Sequence, residues 1–189
     1  MKIRNISKEF ISYNFFNKKA YRILSDINFE LQKNDKLAII GPNGAGKTTL
    51  FKIILDLIEP SSGTVEVESK KNKYIAYINT NSRSFFWRLS SRNNLIFYGK
   101  LLNLSKEEID KKIIYLSREF GVESILNKSF MKLSSGQMQT MIIIRSLLKN
   151  PDYLIFDEAT TSMDIEKSNN VLKKLKKIIN QKKNSHYMV

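Results

Sequence analysis

Apolar residues fall at strand-like spacing over residues 3–6 and 23–31. Asn34-Asp35-Lys36 then reads as a turn. Leu37-Ala38-Ile39-Ile40 is a short unbroken apolar run, the pattern of a strand buried on both faces. Glycines between Gly41 and Gly46 break it, and residues 47–58 have helical composition. Pro60-Ser61-Ser62-Gly63 predicts a turn. Residues 64–68 alternate as a half-exposed strand does, and residues 74–78 are another strand candidate.

From about Trp87 to Lys149 the patterns become mostly helical. Leu95, Ile96, Tyr98, Leu101 and Leu102 share amphipathic spacing, as do Ile109, Ile113, Ile114 and Leu116. Ser105 followed by Glu108 predicts a capping box for the second of these helices. A third helix is expected over residues 136–148, stopped by Asn150-Pro151. Tyr153-Leu154-Ile155-Phe156 is a second buried-strand run and ends in Asp157-Glu158. Residues 165–180 read as a basic amphipathic helix. Strands alternating with helices around a helical insertion predict an α/β fold with a parallel sheet. Residues 1–82 and 150–189 would form its core, and residues 83–149 a helical subdomain.

Composition narrows the class. The 189 residues are 42% apolar and 26% charged, a globular mix and enough for one domain. The absence of cysteine excludes a disulfide scaffold and a thiolate metal site, and a single histidine excludes a His-rich cluster. No run reaches the roughly 18 apolar residues of a spanning helix, and residues 1–10 lack a signal-peptide pattern. Residence in the cytosol is the expectation. Lys plus Arg is 32 against 18 acids, a formal charge of +14. Such a balance points to polyanions: nucleic acid, a phosphorylated ligand or an anionic membrane. Enrichment in Lys, Ile and Asn, as AT-rich coding produces, accounts for the same excess without a partner.

The strongest chemical signal is Gly41-Pro42-Asn43-Gly44-Ala45-Gly46-Lys47-Thr48-Thr49, a G-x-x-x-x-G-K-[ST] loop between a predicted strand and a predicted helix. Glycines let successive backbone N–H groups turn toward phosphate oxygens. The helix that follows aims its positive end at the same place. Lys47 supplies a cation for the β- and γ-phosphates, and the Thr48 hydroxyl is suited to Mg²⁺. Gly41, Gly44 and Gly46 belong to a set of only seven glycines in the chain, which argues against a chance match.

Asp157 and Glu158 stand where a buried strand emerges. Ligands of open α/β sheets bind outside the carboxyl ends of strands, so Asp157 is expected beside the phosphate loop, holding Mg²⁺ directly or through water. Glu158 points the other way and is a candidate to orient or deprotonate an attacking water. A strand ending in solvated acids is the plainer alternative.

With these residues in order, the sequence resembles the ATP-binding subunit of ABC (ATP-binding cassette) transporters over nearly its whole length. Residues 41–49 resemble the Walker A loop, and residues 153–158 resemble the Walker B strand and its glutamate. Leu133-Ser134-Ser135-Gly136-Gln137 resembles the LSGGQ signature, with Ser135 in place of the first glycine. The resemblance implies a P-loop NTPase fold of ABC type: a mainly parallel core sheet, an N-terminal antiparallel β part and the inserted helical subdomain. It implies ATP and Mg²⁺ as ligands, with Glu158 catalytic and Thr48 and Asp157 on the metal. It also implies a head-to-tail dimer with a second ABC ATPase subunit, identical or not. In that dimer Ser134, Ser135, Gly136 and Gln137 face the nucleotide of the partner, and Asp164 of Ser162-Met163-Asp164 falls in the D-loop. A transmembrane permease subunit is the further implied partner, on the inner face of the cell membrane.

Three departures from the pattern matter. The family's glutamine after the strand near Ile78 is missing; Thr80 takes the expected place, with Asn79 and Asn81 beside it. Arg83-Ser84-Phe85-Phe86-Trp87-Arg88-Leu89 resembles a segment of an exporter branch, whose exposed aromatics would meet the membrane subunit. That segment is the basis for expecting export; a core-packing cluster is the alternative. The aromatic that stacks on adenine is expected at Phe10, with Tyr13 as runner-up. Finally, the family's switch histidine follows a buried strand, whereas His186 follows Asn180-Gln181-Lys182-Lys183-Asn184-Ser185 and precedes Tyr187-Met188-Val189. The last strand is therefore expected to begin here, His186 is not expected to be the switch, and the chain reads as truncated at its C-terminal end.

Rival readings follow from the same residues. A truncated cassette that binds ATP without turnover fits the bare chain ending. A soluble ABC ATPase acting on nucleic acid or ribosomes fits the charge, with Lys173, Lys174, Lys176, Lys177, Lys182 and Lys183 in the last segment. No nucleic-acid motif accompanies them, so no specific nucleic acid is expected. Residues 133–137 and the lack of N-K-x-D disfavour a kinase or GTPase.

Overall fold

The computed structural model describes residues 1–14, 17–32, 35–67, 74–79, 84–157, 173–175, 177–178 and 186–188. Two sheets organise them. Strands β1 (Lys2–Asn14), β2 (Asn17–Glu30) and β4 (Ser62–Glu66) form an antiparallel sheet in the order β2-β1-β4. Strands β3 (Lys36–Leu37), β5 (Ile75–Asn79), β6 (Tyr153–Asp157) and β7 (His186–Met188) form a wholly parallel sheet in the order β3-β7-β6-β5. The sheets are joined by helix α1 (Lys47–Ile54), and helices α2 (Ser91–Leu101), α3 (Lys106–Phe120) and α4 (Ser135–Leu147) lie between β5 and β6 in the chain.

Strand β6 divides two cores. Tyr153 and Ile155 pack on one side with Ile3, Ile6, Leu50 and Phe51, between the antiparallel sheet and α1. Leu154 and Phe156 pack on the other with Ile113, Phe130 and Met141 of the helical block. Alternation along the strand is thus apolar on both faces, as the unbroken run 153–156 requires. Strand β5 divides likewise: Ala76 and Ile78 face the helices, while Ile75 and Tyr77 face α1.

Local chemistry sets the helix ends. α1 stops earlier than residue 58 because Asp56 adopts φ 60 and closes a Schellman motif. Leu57 N–H donates to Lys52 O at 2.9 Å and Asp56 N–H to Ile53 O at 3.0 Å. α3 has the expected capping box between Ser105 and Glu108. The Ser105 backbone N–H, donating to the side chain, holds the Glu108 carboxyl below its usual pKa. Gly121 (φ 69) ends the helix.

Two further expectations are corrected. Residues 37–40 do not form a strand buried on both faces. β3 pairs only at Lys36↔Tyr187 and Leu37↔Met188, and Ile40 is 93% exposed. Residues 38–40 carry no strand, so the chain has left the ladder before the phosphate loop. Within 83–89 the aromatics do not share one exposed face. Phe85 is buried, stacked on Phe130 at 4.3 Å, under the Arg145 guanidinium at 4.8 Å. Burial draws the Arg145 pKa below its usual value. Phe86, Trp87 and Leu89 remain exposed. Of the helix expected over 165–180, residues 173–175 and 177–178 are described as helical, with Leu175 and Ile178 buried. Lys176, Lys182 and Lys183 lie outside the described residues.

Gly63 belongs to β4 rather than to a free turn. It has φ 87, and a Cβ there would sit 2.4 Å from the carbonyl oxygens of Arg4 and Asn5. Gly63→Ala is expected to cost about 2–3 kcal/mol by forcing β4 away from β1. Thermal unfolding should fall by roughly 5–10 °C; a midpoint within about 2 °C of the parent would remove the close approach as a constraint.

Candidate functional site

The loop from Gly41 to Gly46 runs directly into α1. Gly46 is the N-cap at φ 91, and Gly44 has φ 83, backbone that side chains with a Cβ disfavour. Gly46 is also pressed against β2: a Cβ would lie 2.9 Å from Ile23 Cγ2 and from Leu24 Cδ2. No side chain caps α1, so its first N–H groups are available to an anion. Lys47 Nζ donates to Gly41 O at 2.7 Å and Pro42 O at 2.9 Å, which holds its ammonium within the loop.

Asp157 arrives at the same place. As the last residue of β6 it continues the series Tyr153, Ile155, which faces α1. Thr48 Oγ1, in the first turn of α1, donates to Asp157 Oδ2 at 2.9 Å. The Tyr77 hydroxyl donates to the same oxygen at 2.6 Å. A hydroxyl and a carboxylate side by side are hard oxygen donors, and with phosphate oxygens they suit Mg²⁺. The residues present therefore fit such an ion.

Phe10 joins them from the antiparallel sheet. With Ile23, Asn43, Gly44, Gly46, Lys47, Thr48 and Thr49 it lines an open cavity of about 460 Å³. Phe10 is 44% exposed, and Lys8 Nζ lies 5.1 Å from its ring centroid. Tyr13, the runner-up, is not among the lining residues and is far more exposed. An apolar ring at one end and a cation with helix N–H groups at the other can accept a base and its phosphates.

The expected signature forms the start of α4. Ser134 is its N-cap, and Ser134 and Gln137 make a capping box. Residues 134–137 do not line the cavity at 41–49. A Cβ at Gly136 would meet nothing within 4 Å among the described residues, so no contact among them demands a glycine there. Glu158, Asp164, Thr80 and Asn81 lie outside the described residues. His186 pairs with Tyr153, at the opposite end of β6 from Asp157. Tyr77 was not singled out by motif. Its signal was parity, since Tyr77 and Asp157 fall on the same face of adjacent parallel strands.

The profile of the family described as ABC transporter matches residues 24–161. NatA, an ABC transporter ATP-binding protein of Bacillus subtilis (strain 168), is 32% identical over 160 residues, 80% of this chain and 65% of that protein. WtpC, a molybdate/tungstate import ATP-binding protein of Pyrococcus abyssi (strain GE5 / Orsay), is 31% identical over 93% of this chain and 50% of its own length. EgtV, an ergothioneine transport ATP-binding protein of Helicobacter pylori (strain G27), is 30% identical over 92% of this chain and 83% of its own. The chain thus spans about half to two-thirds of the length of NatA and WtpC. Among solved structures, a dimeric ATP-binding cassette in a post-hydrolysis state, bound to ADP and Pi, has a TM-score of 0.80 at 21% identity. It covers 100% of this chain and 86% of that one. The structure of cbiO1 from Clostridium perfringens has a TM-score of 0.80 at 24% identity, covering 99% and 76%. These likenesses establish the fold as that of an ABC ATPase cassette.

Proposed function

The chain belongs to the ABC transporter family as an ATP-binding domain, and from that premise we propose that it binds MgATP at residues 41–49 and hydrolyses it to drive transport. The observation that carries the reading is the 2.9 Å contact between Thr48 Oγ1 and Asp157 Oδ2 at the foot of the phosphate loop. Two oxygen donors far apart in sequence meet at the point where an uncapped helix begins. Mg²⁺, when bound, neutralises charge on the terminal phosphates. The chain's own groups do the rest. Loop N–H groups and Lys47 hold phosphate oxygens, Thr48 and Asp157 turn oxygens toward the cation, and Phe10 stacks on the base. Glu158 is assigned the attacking water, which it orients and whose proton it accepts. Positioning and charge neutralisation dominate such catalysis.

Residues 134–137 are read as facing the nucleotide of a second cassette, and Asp164 as part of the same contact. The space beside Gly136 supports this, because no described residue comes within 4 Å of a Cβ placed there. Phe86, Trp87 and Leu89 are read as the surface toward a transmembrane permease subunit, at the inner face of a membrane. The export direction expected from residues 83–89 is not matched by the name of WtpC, which is an import protein. The ATP chemistry proposed for this chain serves either direction.

The direct test is phosphate release from ATP by the full chain. Turnover that stops when EDTA removes Mg²⁺ is expected; failure to bind ATP in excess Mg²⁺ would sink the reading. The base site has its own test. Phe10→Ala should weaken ATP binding on the order of tenfold, from loss of stacking, while leaving the affinity for inorganic tripolyphosphate unchanged. Equal losses for both ligands would take Phe10 out of the base site.

A further inference from the structure

Asp157 Oδ2 accepts two hydrogen bonds, and only that from Thr48 belongs to the paired motifs. The other comes from Tyr77 on β5, a strand that contributes nothing else to the site as proposed. β5 and β6 are parallel, with Tyr77 opposite Ile155 and Asn79 opposite Asp157. Tyr77 and Asp157 therefore share a face, offset by two residues along the strands, roughly 6.6 Å. The tyrosine side chain spans that offset and sets its hydroxyl 2.6 Å from the carboxylate, a short bond of the charge-assisted kind.

We propose that Tyr77 is a positioning residue for Asp157, and that it sets the affinity of the site for Mg²⁺. This rests on the reading of Thr48 and Asp157 as the metal-facing pair. Thr48 can donate its proton to Asp157 while keeping a lone pair for a cation. The carboxylate, at the open end of β6, needs a second anchor to hold it toward Thr48, and Tyr77 supplies it from the neighbouring strand. Partners of this kind fix ligand orientation before the metal arrives, and their loss characteristically costs tenfold or more in metal affinity.

The test compares the full chain with Tyr77→Phe, which keeps the ring and removes the oxygen. Binding of a fluorescent ATP analogue is titrated with Mg²⁺ and, separately, measured in EDTA. The expected result is a Mg²⁺ half-saturation raised about tenfold, with affinity in EDTA within about twofold of the parent. In an Asp157→Asn background the same change should leave the Mg²⁺ half-saturation unaltered, because the proposed effect on the metal runs through that carboxylate. A half-saturation unchanged by Tyr77→Phe overturns the proposal, and so does an equal effect in the Asp157→Asn background. Lost affinity in EDTA together with a lowered unfolding temperature assigns Tyr77 to packing and overturns it too. A parent chain that binds the analogue with no dependence on Mg²⁺ overturns the MgATP reading itself, and the role of Tyr77 with it.

Discussion

Replacing Lys47 with alanine is expected to abolish ATP binding at any practical concentration. Among the described residues that line the cavity, Lys47 alone carries a charge, and its ammonium already sits inside the loop on two carbonyls. A triphosphate that enters must turn this cation from the Gly41 and Pro42 oxygens to its own. Each hydrogen bond to a charged group is worth about 1.5–3 kcal/mol, so losing two weakens binding by at least a hundredfold. The fold should not suffer. The hydrogen bonds that the substitution removes lie in a loop at the surface, and α1 keeps Leu50, Phe51, Ile53 and Ile54 in the core. Titration with labelled ATP in excess Mg²⁺ measures the effect, and a melting curve controls for folding. An affinity within threefold or so of the parent would falsify the phosphate-loop assignment. Arginine is not expected to restore binding, since its planar fork cannot occupy the niche of a compact ammonium.

Much of the site was legible because its chemistry demands particular residues in particular order. Glycines at positive φ, a lysine and a hydroxyl at the start of a helix leave few substitutes, so residues 41–49 could be read before any strand was located. Asp157 was legible for a second reason, the apolar run before it, which fixes which face each residue takes. What failed to show was what depends on neighbours. Leu37-Ala38-Ile39-Ile40 has the composition of a buried strand, but a strand is made by pairing, and the partner of Lys36 and Leu37 comes from residues 187–188, far along the chain. The run 83–89 has one character in sequence and two in space. Phe85 goes under Arg145 and onto Phe130, from elements far along the chain, while Phe86 and Trp87 stay outside. Tyr77 looked like an ordinary strand aromatic. Its role depends on the register between β5 and β6, which no local pattern encodes. The reach of β1 and β2 beyond 3–6 and 23–31 was hidden because most of β2 is exposed, so no apolar alternation marks it.

Glu158→Gln separates binding from turnover, and the expected effect is the largest on rate. Asp157 closes the series that faces α1, and strand alternation read from the sequence expects an acid at position 158 to take the opposite face. On that expectation the two adjacent acids serve different partners, one a cation and the other water. Glutamine keeps the size and the hydrogen-bonding oxygen but accepts no proton. Loss of a general base costs about 10²–10⁴ in rate, so phosphate release should fall roughly a thousandfold. ATP affinity should stay within about threefold, because no phosphate contact is assigned to this side chain. The dimer proposed across residues 134–137 adds a second readout. If hydrolysis is what reopens it, the variant in MgATP should elute at twice the mass of the chain without nucleotide, and Lys47→Ala should not. Near-normal hydrolysis would remove Glu158 from its role and leave water activation to be found elsewhere. Lost turnover with lost binding would instead mean that the strand end had been disturbed, and the same melting curve used for Lys47→Ala tells these apart.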